Sequence, residues 1–491
     1  MSETISFEEI PYDWRKPGTY VEIRPSYQNL GVLGYPARVL LIGQMLATGT
    51  AAEAFPQRIT RADQAPALFG AGSVCAEMAE AFRAANQTTD LYVMGLNDAA
   101  AAVAAAGSVV LAGSPTASGT LALYIGGQRI AVPVAAGATV ADIATAVRAA
   151  ITAKTGLPVT SGGAAGSVTL TAKQKGTVGN LIDLRLNRLA GEATPPGLTV
   201  TITAMSGGTG DPDLQDALDA IAAEWFTDIA VAWTDTANLN ALVADLATRY
   251  QAMGAMDAHA YAGLRGTFGA LSAAGAARNS PHLTIIGANA SPTSPWAWAA
   301  SLAGVAAFHL TNDPARQLRS LALPGIQPPE PALRFTMTEQ DLLLRDGIST
   351  FEVSNDGTVR LDRVLTTYQK SALDVDDVAW LDIMVPKTMS RIRYDWASYV
   401  GLTFPRSKLA DDGSPVAEYG AAFVTPRLMH AAWSARCTLY EREGWIESAT
   451  RTVAESSFLR DADDRNRMNA RQLVRVVGNL MVLAGSLQFE V

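Results

Sequence analysis

The sequence predicts a multi-domain chain of α/β plus α+β class: an α/β host domain, a β-rich domain inserted into it, and an α+β C-terminal domain. Three observations carry this expectation. Short apolar runs alternate with segments of helical periodicity in two blocks, 25–106 and 209–323, the pattern of a parallel sheet flanked by helices. Between the blocks, 107–208 turns to Gly, Ala, Thr and Ser and holds no Phe or Trp. Then a proline-rich run, 324–331, sets 332–491 apart, because proline fixes φ and stiffens a linker. A length of 491 residues is more than one ordinary core serves.

Taken in order, residues 1–24 read as an N-terminal arm. The arm ends in Thr19–Arg24, where Thr19, Val21 and Ile23 alternate with Tyr20, Glu22 and Arg24 after the turn signal Pro17–Gly18. In the host, Arg38–Gly43, Asp90–Gly95, Asp228–Trp233 and His282–Gly287 are apolar runs closing at or near glycine or a turn. Such runs suit strands buried on both faces. Helical patterns lie at Ser73–Asn86, Asp213–Trp225, Thr236–Met253 and Gly263–Arg278, with Asp213 as an N-cap and Asp216 in the first turn.

The insertion alternates like strands at Thr120–Gly126, Arg129–Val134 and Ser167–Ala172 and turns helical at Val140–Ala153, opened by Thr139. Both its ends return to one point of the host, so it is expected at the surface. In the C-terminal domain, Phe351–Val353 and Val359–Leu361 flank Asn355–Asp356–Gly357, a hairpin turn. Helices are expected at Asp376–Tyr399, broken by Pro386, and at Pro426–Glu443. Strand-like runs follow near Leu473–Val477 and Leu480–Val491.

Bulk chemistry narrows the function. With 48% hydrophobic and 17% charged residues the chain is no disordered segment. A net charge of -9 disfavours nucleic acid as a partner, since that binding rests on Lys and Arg neutralising phosphates. Cys75 and Cys437, far apart, read as buried thiols. No basic and apolar leader opens the sequence, and the uncharged stretches at 99–128 and 295–310 read as buried segments and not as membrane spans. The expected site of synthesis is the cytoplasm, with no direct membrane insertion.

No catalytic pattern appears. There is no phosphate-cradling glycine loop, zinc-binding His-Glu-x-x-His or Gly-x-Ser-x-Gly elbow. His259, His282, His309 and His430 lack ligand spacing. Asp374, Asp376 and Asp377 read as the start of a helix rather than a calcium loop, and Asp461, Asp463 and Asp464, among arginines, as a solvated or ion-pairing segment. No catalytic residue, cofactor or metal site is therefore expected.

The termini are more informative. Leu487, Phe489 and Val491 alternate with Gln488 and Glu490 at the other end of the chain. Terminal strands fray unless a sheet edge holds them, in their own chain or in another subunit by strand addition. From Arg465 to Phe489 there are four arginines and no acid. Arg471 and Arg475 would share a side in a helix or in a strand, and with Arg467 they form a candidate contact for a tube or a neighbouring subunit.

Several segments resemble one family. Ile5–Phe7, Ile10–Pro11, Arg15, Pro17–Ile23 and Val39–Gln44 resemble the opening of Mu-like contractile-tail sheath proteins of bacteriophages. Asn279–Gly287 resembles a mid-chain segment of that family, and Leu483–Phe489 its C-terminus. Glu490 departs from the more apolar ending expected. The resemblance implies a subunit that polymerises as stacked homo-hexameric rings around a tail tube, its terminal arms joining neighbours. It implies contact with baseplate and tail-terminator proteins, a place in the virion tail after assembly in the host cytoplasm, and contraction that drives the tube through the host envelope. The competing classes are a surface-lattice or adhesin-like protein, which fits the β-rich insertion, and an α/β enzyme without a recognisable motif.

Overall fold

The computed structural model describes residues 10–11, 13–22, 31–416 and 422–489. The chain divides into two compact units, Met1–Tyr35 with Ile392–Arg475 and Pro36–Arg391 with Val476–Val491. The expected boundary at 324–331 does not coincide with this division. Residues 332–391 stay with the larger unit, and the chain changes unit inside the Met384–Thr403 helix. The prolines of 324–331 are tied down and do not act as a spacer: Ser291 donates to the Gln327 carbonyl at 2.6 Å and Gln327 to the Gly127 carbonyl at 3.0 Å.

The larger unit is built on a seven-stranded sheet. Its order is Ile348–Ser349, Leu283–Gly287, His259–Leu264, Asp228–Val231, Arg38–Gln44, Asp90–Leu96 and Gln57–Ile59. All pairs are parallel except the last, where Gln57–Ile59 runs antiparallel. The four strands expected in the host are present. His259–Leu264 is a fifth, in place of the start of the helix expected from Gly263; that helix begins at Phe268. Glycine belongs at 263, since a Cβ there would run into the Pro295 carbonyl. The Val74–Ala85 helix, capped by Ser73, packs on the Pro295–Asn312 helix, where Gly304 lies against Phe82 and Ala85. Pro295–Asn312 is apolar nearly all round because it is buried nearly all round. Among the described residues no helix is long and apolar enough to cross a membrane.

The insertion holds two sheets. One orders Leu198–Ser206, Ala104–Gly113, Ser167–Lys175 and Val159–Gly162; the other Gln128–Val134, Gly119–Ile125 and Leu184–Leu186. The Val140–Ala153 helix buries Ile143, Val147 and Ile151, with Thr139 accepting from the Asp142 amide as its cap. The insertion's core is continuous with that of the host. Arg265 donates to the Leu181 carbonyl at 2.9 Å and to Asp183 at 2.5 Å, and Arg185 to the Ala290 carbonyl at 2.5 Å.

Phe351–Val353 and Val359–Leu361 form the expected antiparallel hairpin, with Gly357 at φ 82° in its turn. The helix expected from Asp376 starts at Met384 instead. Pro386 thus falls in its first turn, where the missing N–H costs nothing, and breaks no helix. Asp374, Asp376 and Asp377 lie in the preceding loop, not at a helix start. Asp374 has φ 56°, and Asp377 accepts from Tyr368 Oη at 2.6 Å.

The smaller unit packs the Pro426–Arg442 and Ala449–Ala454 helices and the C-terminal part of Met384–Thr403 around aromatic side chains. Trp396 and Trp433 meet edge to face at 5.1 Å, and Tyr440 stacks on Trp445 at 5.7 Å. A two-stranded hairpin, Ser457–Arg460 with Met468–Arg471, completes the unit. The strand expected at Leu473–Val477 lies earlier, at Met468–Arg471.

Candidate functional site

An open parallel sheet places its ligand crevice at the C-terminal ends of the strands, where the strand order reverses. Here that point lies between Arg38–Gln44 and Asp228–Val231. The crevice is filled by the chain itself. Gln44, fully buried, donates through Nε2 to Asp98 Oδ1 and to the Lys175 carbonyl, both at 2.8 Å, and Asp98 accepts the Lys175 amide at 3.1 Å. Burial raises the Asp98 carboxyl above its ordinary range.

A cavity of about 880 Å³ lies alongside, lined by Met45, Thr48, Asn97, Asp98, Lys154 and Lys173 among others. Its central cation is already engaged: Lys173 Nζ donates to the carbonyls of Ala71 at 2.9 Å and Thr155 at 2.7 Å, and burial lowers its pKa. Among its lining hydroxyls, Thr152, Thr160 and Ser161 donate to backbone carbonyls.

A second polar cluster lies at the opposite, N-terminal ends of the strands. Asp228 accepts from Lys387 Nζ at 2.6 Å, Tyr261 Oη at 2.7 Å and Thr227 Oγ1 at 2.9 Å. His259 Nε2 pairs with Thr284 Oγ1 at 2.8 Å. Burial, with Lys387 adding to it, holds His259 well below the usual histidine range and brings His282 down to about 4. With both imidazoles held neutral and Asp228 paired to Lys387, the cluster braces the sheet. Among the described residues no three His, Cys, Asp or Glu side chains could hold a metal ion.

The terminal segments are of another kind. Thr19, Tyr20 and Val21 belong to no strand; Tyr20 packs edge to face on Trp14 at 6.0 Å, and Val21 is 80% exposed. Ile23 lies outside the described residues. Leu487 and Phe489 are 99% and 84% exposed and belong to no strand, and Val491 lies outside the described residues. Within the described residues neither terminal segment pairs with a sheet of its own chain.

The three arginines do not form one patch along a regular element. Arg471 ends the Met468–Arg471 strand, whereas Arg475 lies beyond it and pairs with Glu455 at 2.9 Å. The shared side expected of them needed a helix or strand running through both. Arg467 donates to Asn469 Oδ1 at 2.8 Å, within the hairpin turn. In that turn Asp461 accepts the amides of Asp463 and Asp464 and the side chain of Asn469. The hairpin itself was not anticipated. Its signal was Asp461, whose side chain closes an Asx turn.

Residues 207–367 match the family model described as the phage tail sheath protein central domain. The Mu-like prophage FluMu tail sheath protein of Haemophilus influenzae is 34% identical over 486 residues, spanning 99% of this chain and 99% of that one. Among solved structures, the PVC sheath complex of an extracellular contractile injection system, in its contracted state, has a TM-score of 0.50 at 11% identity, covering 97% of this chain and 98% of that one. The anti-feeding prophage baseplate in its contracted state has the same score at 12% identity, over 96% and 97%. These two likenesses concern the fold. The match to the Haemophilus protein runs from end to end, and on it the chain belongs to the Mu-like phage tail sheath proteins.

Proposed function

We propose that the chain is the repeating subunit of a contractile sheath, stacking as hexameric rings around a tail tube and contracting to drive that tube through the host envelope. The observation that supports this reading is that the described residues of both chain ends are largely exposed and join no sheet of their own chain. A hairpin of two strands is marginal alone, and the outer edges of Ser457–Arg460 and Met468–Arg471 have no partner among the described residues. Terminal strands of neighbouring subunits, Thr19–Ile23 and Leu487–Val491, adding to those edges would complete a larger sheet and link subunits through backbone hydrogen bonds. Such links outlast a rigid rotation of the bodies they join, which contraction requires.

The role is structural rather than catalytic, as the buried polar groups spent on one another support. The remaining partners are the tube, the baseplate and the tail terminator; the place of action is the virion tail, after assembly in the host cytoplasm. Arg467 and Arg471, exposed near the hairpin, are the side chains proposed to meet an acidic tube or a neighbouring subunit, with Arg475 beside them on Glu455.

Negative-stain electron microscopy of the purified chain tests the reading. Long hollow tubes are expected, and their loss on deletion of Met1–Ile23 with the body still folded. Discrete particles at every concentration, or normal tubes from the truncated chain, would refute it.

A further inference from the structure

We propose that the buried cluster of Asp395, Arg436 and Tyr440 is the anchor of the N-terminal arm, holding its root at Gly31–Leu33 so that load on the arm passes into two helices of the smaller unit. This rests on reading residues 1–24 as an arm between subunits. Ahead of the root, most described residues lie open, with Trp14 54% exposed and Val21 80%. At the root the chain meets buried charge. The Leu33 amide donates to Asp395 Oδ1 at 2.8 Å, and both terminal nitrogens of Arg436 donate to the Gly31 carbonyl, at 3.3 and 3.4 Å.

Asp395 is wholly buried and accepts three further bonds from Arg436, the shortest at 2.5 Å, and one from Tyr440 Oη at 2.6 Å. Next to Asp395, Tyr394 packs edge to face on Tyr35 at 5.3 Å. The cluster thus joins the Met384–Thr403 helix, the Pro426–Arg442 helix and the entering chain at one point.

Stability alone does not account for charge here. A buried ion pair is commonly no better than well-packed apolar side chains of the same volume. What an apolar pair cannot do is grip a backbone carbonyl and a backbone amide two residues apart. That grip is what a pulled segment needs, since both bonds must fail together before the chain peels from the unit. The charge-assisted bonds are also the stronger kind.

The test uses the full-length chain with two variants. The double variant Asp395→Leu/Arg436→Met replaces the ion pair by apolar groups. Leu33→Pro removes the gripped N–H and leaves Asp395, Arg436 and Tyr440 whole. Three readouts are taken: the thermal midpoint of the unassembled chain, hydrogen exchange at the Leu33 amide for the double variant, and the concentration at which tubes form.

The expected result is a chain that still unfolds in one cooperative transition, its midpoint lowered by no more than the lost Tyr440 and backbone hydrogen bonds allow, loss of Leu33 protection, and a rise of about tenfold or more in the polymerisation concentration. Polymerisation at the parental concentration by either folded variant overturns the anchor. If the double variant does not fold, Leu33→Pro decides alone. The deletion of Met1–Ile23 separates the two ideas. If the truncated chain polymerises normally, the arm reading falls and the anchor with it; if it does not, while both variants polymerise normally, only the anchor falls.

Discussion

Replacing Lys387 by Met removes one charge of a buried pair and little volume. In the parent, Lys387 Nζ sits 2.6 Å from Asp228 and 3.0 Å from the Thr227 carbonyl, with side-chain exposures of 10% for Lys387 and 2% for Asp228. Methionine keeps the aliphatic stem and leaves Asp228 with only the hydroxyls of Tyr261 and Thr227. Breaking a buried pair from one side costs about 3–5 kcal/mol, because the remaining charge is uncompensated. Neutralising both partners, Asp228→Asn with Lys387→Met, removes that charge, so the double variant should regain at least half of the loss. Urea denaturation of the unassembled chain at pH 7.5 measures all three. The positive charge of Lys387 also helps hold His282 near 4, so the His282 imidazole should titrate higher in Lys387→Met, as its NMR shifts would report. A loss below about 1 kcal/mol, the range of exposed pairs, or a double variant no better than the single one, would refute the reasoning.

The Glu77 carboxyl, bonded by Ser294 at 2.8 Å and Trp296 at 2.6 Å, is pushed by burial from 4.5 up to about 7. A folded value above the unfolded one favours folding below pH 4.5 and withdraws that advantage as pH rises through 7. Glu77→Gln should therefore gain about 1–3 kcal/mol over the parent at pH 8, shrinking towards pH 5; a pH-independent difference in denaturation midpoints would count against it. Gly263→Ala should destabilise by about 1–3 kcal/mol or more, because its methyl group meets the Pro295 carbonyl, and thermal unfolding reads this directly. Truncation after Leu483 removes, among the described residues, exposed ones only, so the thermal midpoint should hold while tube formation fails. A fall in the midpoint would mean that the tail packs on its own body.

The sheet strands were legible where both faces are buried, as in Val39–Ile42, because continuous apolar runs have no competing explanation. His259–Leu264 was not, because its alanines and glycine fill narrow space and carry almost no hydrophobic signal. The insertion showed its helix to the residue, since Thr139 caps it and Ile143, Val147 and Ile151 mark one face. Ala104–Gly113 passed unread because its alanines and glycines look alike in strand and loop, and Leu198–Ser206 passed unread although Leu198, Val200 and Ile202 alternate with threonine. Of the candidate site, the alternating ends were visible in the sequence. The Asp395–Arg436 pair was not, because no local pattern records a partner 41 positions away; the Ser457–Arg471 hairpin left only the local signal of Asp461, which went unread.

The filled crevice bears on how this chain can be re-engineered. Gln44 Nε2 has its second acceptor, beside Asp98, in the Lys175 carbonyl at the end of the Ser167–Lys175 strand. Exchanging the whole insertion for a foreign module would leave Gln44 and Asp98 facing an empty edge of the sheet. Open turns such as those at Gly137 and Gly191 have free space within 4 Å, provided these glycines, at φ 73° and 87°, are themselves retained. A peptide spliced beside those glycines would leave the Ser167–Lys175 strand in place.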